Sequence, residues 1–478
     1  MSIRVRFAPS PTGNLHIGGA RTAMYNYLFA KAMKGTYVLR IEDTDTERSK
    51  PEYEKAQIED LKWLGLTHDE GPDVGGNFGP YRQSERGAIY KAWSEKLLDS
   101  GHAYHCFCSE EELTAKKELA TAEKRPPHYD GKCRNLSSEE VTSKLASGEE
   151  AVIRFHAPKK AYVFTDHVRG RVVFPEGMVG DFVIMRANGI PVYNYAVVVD
   201  DITMKITHVI RAEDHLSNTL RQLMIYEAFE STPPEFTHVS LLIGEDRQKL
   251  SKRHGATSVT LYKELNYLPE ALLNYLCLLG WSHPEDKDVF DVRTLGPLFN
   301  LDRFTKAAAI YDIKKLEYIN GAQIKLKPLE EIKSEVEKVL PPGHSFFKME
   351  ESWKISCLNI FKDQINFYHE ITDHLKIIFT VEAGDPNELS EINSFESTPK
   401  IKEYLKEELT KKKNEGLQFV TEEDYNNWAN HVKNEIKVKG KPLFMGMRAA
   451  LTQKAHGPEL KFIIPLTPIE VLIERLKL

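Results

Sequence analysis

The sequence predicts an α/β protein in which a nucleotide-binding sheet is split by an insertion and followed by α-helical domains. Three observations carry that prediction. A strand, a glycine-rich loop, a helix and a second strand follow one another over residues 3–41. A second loop-like stretch, the strongly basic "RQKLSKRHGATS", returns only at residues 247–258. The last third of the chain reads as helix after helix.

Composition sets the outer limits. A chain of 478 residues has room for about three domains, and 41% apolar residues is ordinary for globular cores. No run approaches the roughly 20 apolar residues of a membrane span. The opening "MSIRVRF" lacks the apolar core of a secretory signal. No membrane association is therefore expected, and the cytoplasm is the expected address. Five cysteines in a chain this long do not make a disulfide framework, which fits a reducing compartment. The formal charge of −6 excludes a globally basic nucleic-acid binder and leaves local basic faces open.

Taken in order, "IRVRFA" at residues 3–8 alternates with the period of a strand, and Pro9 and Pro11 end the ladder. Ala20 to Lys34 carries apolar residues at helical spacing, with Gly35 as the expected C-cap and "TYVLRI" as the next strand. The loop then lies at the carboxyl end of the first strand, where α/β sheets bind nucleotides. There Gly18 and Gly19 allow a ring or phosphate to approach the backbone, and His16 adds a donor to a phosphorus centre as charge builds. "SKPEYEKAQIEDLKWLGL" reads as a helix capped by Ser49. Residues 96–192 mix short strands such as "AVIRFHA" and "RVVFP", and "AVVVDD" from Ala196 reads as a buried strand of the resumed sheet. After the basic stretch, "LPEALLNYLCLLGWS" opens a helical region, and "SCLNIFKDQINFYHEITDHLKIIF" continues the helical pattern further on. Basic clusters stand at Lys411–Lys413 and Lys433–Lys441.

The four letters "HIGG" alone are compatible with a plain turn. In "RQKLSKRHGATS", Arg247, Lys249, Lys252 and Arg253 interleave with Ser251 ahead of Gly255, which suits a loop that closes on a polyphosphate. A solvated charge run is the ordinary alternative, and the pairing with the opening stretch argues against it. Within the insertion, Cys106, Cys108 and Cys133 are spaced to share one metal ion. Zinc normally takes four donors, so Tyr129 and His128 are the candidates for the fourth, with three reduced, unliganded cysteines as the alternative.

Together these stretches resemble a class I aminoacyl-tRNA synthetase and, more narrowly, the bacterial-type glutamyl-tRNA synthetases. "HIGG" stands for the HIGH motif of that class and "KLSKR" for its KMSKS motif. "RFAPSPTGNLHIGGARTAMYNYLFAK", "VLRIEDTDTERS", "GIPVYNYAVVVDD", "VIRAEDHLSNTLRQ", "KLSKRHGATSV" and "KGKPLFMGMRAALTQKAHGPEL" appear in the family's order almost from end to end. The resemblance implies a Rossmann-type catalytic domain in two halves, 1–95 and 193–247, around an acceptor-end binding domain at 96–192. A stem-contact domain with the KMSKS-like loop at 248–328 and an α-helical anticodon-binding domain at 329–478 would follow. The implied reaction activates L-glutamate with ATP and magnesium to glutamyl adenylate, then transfers it to the 3′-terminal ribose of tRNA(Glu), with the enzyme acting as a monomer.

By the same resemblance His16 and Lys252 are catalytic, and Gly18, Gly19, Asp214, Lys249 and Ser251 join them around ATP. Glu42, with Ala8 and Ser10, takes the glutamate ammonium, Arg6 and Arg211 divide the carboxylates with Arg211 on the side chain, and Tyr193 also contacts the substrate. Where some family members have an asparagine four residues beyond that tyrosine, this chain has Val197. Asp43, Asp45, Asp200 and Asp201 read as scaffold. Two rivals remain: a smaller adenylyltransferase, which would not need the insertion or the helical third, and a noncatalytic relative, which would be expected to lose His16 or Lys252.

Overall fold

The computed structural model describes residues 2–250 and 257–478, which form two units, Met1–Ile319 and Asn320–Leu478. The first unit opens with β1 (Arg4–Phe7), α1 (Ile17–Ala32), β2 (Thr36–Leu39), α2 (Pro51–Trp63) and α3 (Gly87–Asp99). Next come β3 (Ala103–Cys106), α4 (Glu110–Ala122), α5 (Ser138–Ala146), β4 (Val152–Phe155), β5 (Tyr162–Asp166), β6 (Gly170–Phe174) and β7 (Phe182–Met185). It continues through α6 (Tyr193–Thr203), β8 (His208–Ala212), α7 (Leu216–Ala228), β9 (Glu235–Val239), β10 (Leu242–Ile243), α8 (Val259–Glu264), α9 (Pro269–Leu278) and β11 (Ala309–Ile310), and the boundary at residue 319 falls within α10 (Ile313–Lys325).

β1 and β2 run parallel, with Arg4 opposite Thr36 and Phe7 opposite Leu39. β8 and β9 are also parallel. The two pairs meet where Thr207 N donates to Arg4 O and Arg4 N donates to Thr207 Oγ1, both at 2.9 Å. On the far side of β9, β5 joins in parallel at Asp166 opposite Phe236, and β6 pairs antiparallel with β5. One hairpin of the inserted region therefore extends the sheet that carries β8 and β9. The insertion's other strands form a separate antiparallel sheet in the order β3, β4, β7.

β1 is buried at all four positions. Its alternation therefore does not send the arginines into water. Arg4 instead forms a two-armed pair with Glu70, and Arg6 pairs with Asp201. Just beyond β2, Arg40 reaches Asp201 at 2.6 Å and Glu42 at 3.1 Å, with Asp200 at 3.6 Å. Asp200 also accepts from Arg86 Nε at 2.7 Å, Gln83 Nε2 at 2.8 Å and Tyr90 Oη at 2.9 Å. Charges this deeply buried are tolerable only when paired and hydrogen-bonded. The network thereby locks β1, β2, α3 and α6 together, which agrees with the scaffold reading of Asp200 and Asp201.

Three expectations change. "AVVVDD" is helical: it lies in α6, where every residue from Tyr195 to Asp201 is buried. A helix covered on all sides has no polar face to reveal its period, and its valines mimic a strand. Ser49 does not cap α2, whose N-cap is Lys50 with Pro51 in the first turn, and the Ser49 hydroxyl is buried without a partner. Gly35 is not the C-cap of α1, which closes at Met33 with Lys34 at φ 51°. The glycine is needed for close approach instead, since a Cβ there would lie 2.5 Å from Ile3 O.

The second unit is helical throughout its described elements. α11 (Leu329–Val339), α12 (Glu351–Phe361), α13 (Ile371–Phe379), α14 (Pro386–Asn393) and α15 (Thr398–Asn414) are followed by α16 (Glu422–Asn434), α17 (Lys441–Thr452), α18 (Leu460–Ile463) and α19 (Ile469–Arg475). Arg475 ties three of them by donating to Ile377 O, Thr380 O and Leu451 O. Lys411, Lys412, Lys413 and Lys441 each pair with a carboxylate, so these parts of the basic clusters are locally offset. Among the described residues, no helix is long and apolar enough to cross a membrane.

Removing one member of a buried charge network strands its partners at a cost of about 3–5 kcal/mol. Asp200→Ala should lower the stability of the first unit by that order in urea unfolding, whereas Asp45→Ala, which removes only an exposed pair with Arg48, should leave the midpoint in place. An unchanged midpoint for Asp200→Ala would contradict the role given to the network.

Candidate active site

The carboxyl ends of β1 and β8 and the start of α1 enclose a cavity of about 640 Å³. Arg6, Ala8, Ser10, His16, Gly18, Gly19, Glu42, Tyr193, Arg211, Asp214 and Lys249 all line it. Ser251 and Lys252 lie outside the described residues. Leu250 and Thr257, which flank that segment, line the same cavity. Ile17 N donates to Thr257 O and Val259 N to Leu15 O, both at 2.9 Å, so the chain leaving the segment is stitched to the entry of α1. Two stretches far apart in sequence thus share one wall.

His16 is the N-cap of α1, and its Nδ1 accepts from Gly18 N at 3.1 Å. Burial, with Lys249 nearby, lowers its pKa. The neutral ring therefore carries its proton on Nε2, leaving a donor at the wall of the cavity beside the free N–H groups of a helix start. Lys249 Nζ holds Asp214 Oδ2 at 2.7 Å. Against the burial that would raise it, this contact and the nearby His215 keep the Asp214 carboxyl below its ordinary range.

At the other end stand two buried guanidinium groups. Arg6 faces Asp201, with Nε 3.2 Å from Oδ1. Arg211 has only neutral acceptors: His238 Nε2 at 3.1 Å for its Nε, and Thr219 Oγ1 and Gln222 Oε1, each at 2.8 Å, for Nη2. Its Nη1 is buried with no hydrogen-bond partner. Arg211 is 5% exposed and, among the described residues, pairs with no carboxylate. Glu42 lines the same cavity, accepting from Arg40 and raised in pKa by burial despite the nearby Arg40 and Arg6. Tyr193 Oη lies 3.0 Å from His215 Nδ1. Burial, together with Arg211, pushes His215 down to about 4, so this ring adds no further cation. This end can take two anionic groups and one cation. Val197 is buried in α6 and is not among the lining residues.

Of the residues that hold Arg211, Thr219 and Gln222 lie within the stretch "VIRAEDHLSNTLRQ", where no spacing singles them out, and His238 lies in β9, outside every stretch that carries the resemblance.

Away from the cavity, the sulfurs of Cys106, Cys108 and Cys133 lie within 4.8 Å of one another. Tyr129 Oη sits 3.5 Å from Cys106 Sγ and 3.3 Å from Cys108 Sγ, and accepts from Cys133 N at 3.0 Å. His128 packs against Gly180 instead. Of the two candidates, the tyrosine is the one that faces the three sulfurs.

Comparison with known proteins is consistent along the whole chain. The family described as tRNA synthetases class I (E and Q), catalytic domain, matches residues 2–318, and an anticodon binding domain matches residues 317–478. A glutamate–tRNA ligase of Desulforamulus reducens is 44% identical, the alignment covering 100% of this chain and 99% of the relative. One from Carboxydothermus hydrogenoformans is 45% identical over 97% of each. Among solved structures, a glutamate tRNA ligase from Elizabethkingia meningosepticum in complex with its amino acid superposes with a TM-score of 0.90 at 32% identity, covering 100% of this chain and 99% of that one.

Proposed function

The chain belongs to the class I tRNA synthetases (E and Q), and from that premise we infer that it is a glutamate–tRNA ligase. It activates L-glutamate with ATP and passes the glutamyl group to tRNA for protein synthesis, releasing AMP and diphosphate. The observation that carries the choice of amino acid is Arg211, a buried guanidinium whose Nη1 is unpartnered and whose hydrogen-bond partners among the described residues are all neutral acceptors.

In this reading the Arg211 guanidinium binds the side-chain carboxylate of glutamate, and Arg6 binds the α-carboxylate. Glu42, with Ala8 and Ser10, receives the ammonium, and Tyr193 also contacts the substrate. One α-carboxylate oxygen then attacks the α-phosphorus of ATP. The new bond is a carboxylic–phosphoric anhydride, and the bond to diphosphate breaks. A terminal ribose hydroxyl of tRNA(Glu), on its 3′ adenosine, attacks the anhydride carbonyl, and AMP leaves. Phosphoryl chemistry of this kind needs positioning and charge stabilisation more than a protein nucleophile. His16 donates to the α-phosphate as charge builds, Gly18 and Gly19 let the nucleotide approach α1, and Asp214 with Lys249 borders the nucleotide. Lys252 neutralises the departing diphosphate, with Lys249 and Ser251 holding the loop. Magnesium comes with the nucleotide: Glu42 and Asp214, the carboxylates described around the cavity, are already held by Arg40 and Lys249.

We also propose the domain roles set out above, with 96–192 receiving the acceptor end, 248–328 the stem and 329–478 the anticodon. Cys106, Cys108 and Cys133 with Tyr129 would hold zinc, which would tie β3 to the loop after α4. The five cysteines are all free thiols, which suits action in the cytoplasm, where the chain works as a monomer.

Two measurements follow. In glutamate-dependent pyrophosphate exchange with tRNA present, Lys252→Ala should lose about 100- to 1000-fold in activation rate with substrate binding little changed; near-normal activation would remove Lys252 from the mechanism, and exchange that ignores glutamate would remove the function. Elemental analysis of protein purified without chelator should find about one zinc per chain, and less than a tenth of an equivalent after zinc supplementation would leave the three cysteines as plain thiols.

A further inference from the structure

We propose that Asp166 and His238 form a positioning relay that sets the orientation of Arg211, and so the preference for glutamate, from the neighbouring strands β5 and β9. The proposal rests on the assignment of Arg211 to the substrate side-chain carboxylate. It adds residues that never touch the substrate.

The chain of contacts is continuous and buried. Asp166, His238, Thr219 and Gln222 are each no more than 1% exposed. The Asp166 carboxylate collects four N–H donors: Val168 N at 2.9 Å and Arg169 N at 2.8 Å on Oδ1, His238 N at 3.0 Å and His238 Nδ1 at 2.6 Å on Oδ2. A carboxylate in that company accepts only, so His238 Nδ1 must carry a proton. On the other side of the ring, Nε2 faces Arg211 Nε at 3.1 Å and Thr219 Oγ1 at 3.2 Å. A guanidinium has no lone pair to offer and can only donate. His238 is therefore held neutral as the Nδ1–H tautomer, with a lone pair aimed at Arg211. Burial, which lowers its pKa, works in the same direction.

This arrangement serves two purposes. Accepting at Nε, with Gln222 and Thr219 accepting at Nη2, fixes the plane of the guanidinium and leaves Nη1 free. Because the acceptor is a neutral ring rather than a carboxylate, Arg211 is oriented without losing its charge to a protein partner. A carboxylate in direct contact would compete with the substrate; moved one imidazole away, it orients without competing. The same logic governs any carboxylate that fixes a histidine tautomer for a group beyond it. Asp166 also belongs to β5 and meets His238 across the β5–β9 junction, so the inserted hairpin reaches the substrate pocket through this pair.

The test uses the full-length enzyme in pyrophosphate exchange with tRNA, reading KM for glutamate, KM for ATP and the glutamate-over-glutamine ratio. His238→Leu should raise KM for glutamate about 10- to 100-fold and lower the ratio, with KM for ATP within about twofold, as expected for a buried donor left unpaired. His238→Gln, whose Oε1 can stand near the position of Nε2, should restore most of the loss. Asp166→Asn should behave like His238→Leu, because an amide N–H toward Nδ1 forces the proton to Nε2, against Arg211. His238→Leu with an unchanged glutamate KM, or with glutamate and ATP constants rising together, would overturn the relay. Arg211→Ala run alongside separates the two claims: if it spares glutamate, the arginine assignment and the relay fall together, and if it loses glutamate while His238→Leu does not, only the relay falls. Should the leucine variant not fold, nitrogen-15 histidine spectra of the wild-type protein, with His238→Gln for assignment, decide the matter. A neutral Nδ1–H ring at pH 7.5 supports the relay, and an Nε2–H tautomer or an imidazolium contradicts it.

Discussion

A guanidinium taken out of water must find compensation, and the first unit is organised around how three of them do so. Arg6 and Arg40 share Asp201, and Arg40 also faces Asp200 and Glu42. Arg211, a few residues along the neighbouring part of the sheet, receives neutral acceptors instead. The first two arginines fix β1, β2 and α6 in place, while the third pairs with no carboxylate among the described residues. An uncompensated buried charge is expensive. In the proposed reading the ligand's side-chain carboxylate supplies that compensation, and Arg6 adds binding of the α-carboxylate to its structural role.

The end of the cavity at the start of α1 is built differently. There the described lysine, Lys249, is exposed and pairs with Asp214, and the fixed elements are backbone N–H groups and a neutral histidine donor. In the proposed reading this end takes the triphosphate, for which donors and charge stabilisation matter most, and the end around Arg211 takes the amino acid.

Much of this was legible in the sequence because it is local. The order of strand, loop and helix around His16 follows from the prolines, the glycines and the helical spacing, and the lining residues named by resemblance do converge on one cavity. What stayed illegible is tertiary. The valines of α6 look like a strand because burial on every side erases the helical period. Gly35 looks like a cap because its true constraint, the approach of Ile3, lies in another strand. Ser49 stands one residue too early, since Pro51 sets the first turn and Lys50 takes the cap position. Tyr129 could be separated from His128 only once the three sulfurs were placed in space. His238 and Asp166 are 72 residues apart and carry no pattern at all.

The most direct test of the account compares the two pocket arginines. Glutamate and glutamine are nearly the same size, so charge must separate them. Truncating one partner of a buried, hydrogen-bonded charge pair costs about 2–5 kcal/mol, and neutral glutamine should feel much less of it. In pyrophosphate exchange with tRNA, Arg211→Ala should shrink the glutamate-over-glutamine ratio of kcat/KM by about 30-fold or more, while Arg6→Ala weakens both amino acids alike and leaves the ratio near its original value. An unchanged ratio for Arg211→Ala with a collapsed ratio for Arg6→Ala would contradict the central claim and exchange the roles of the two residues.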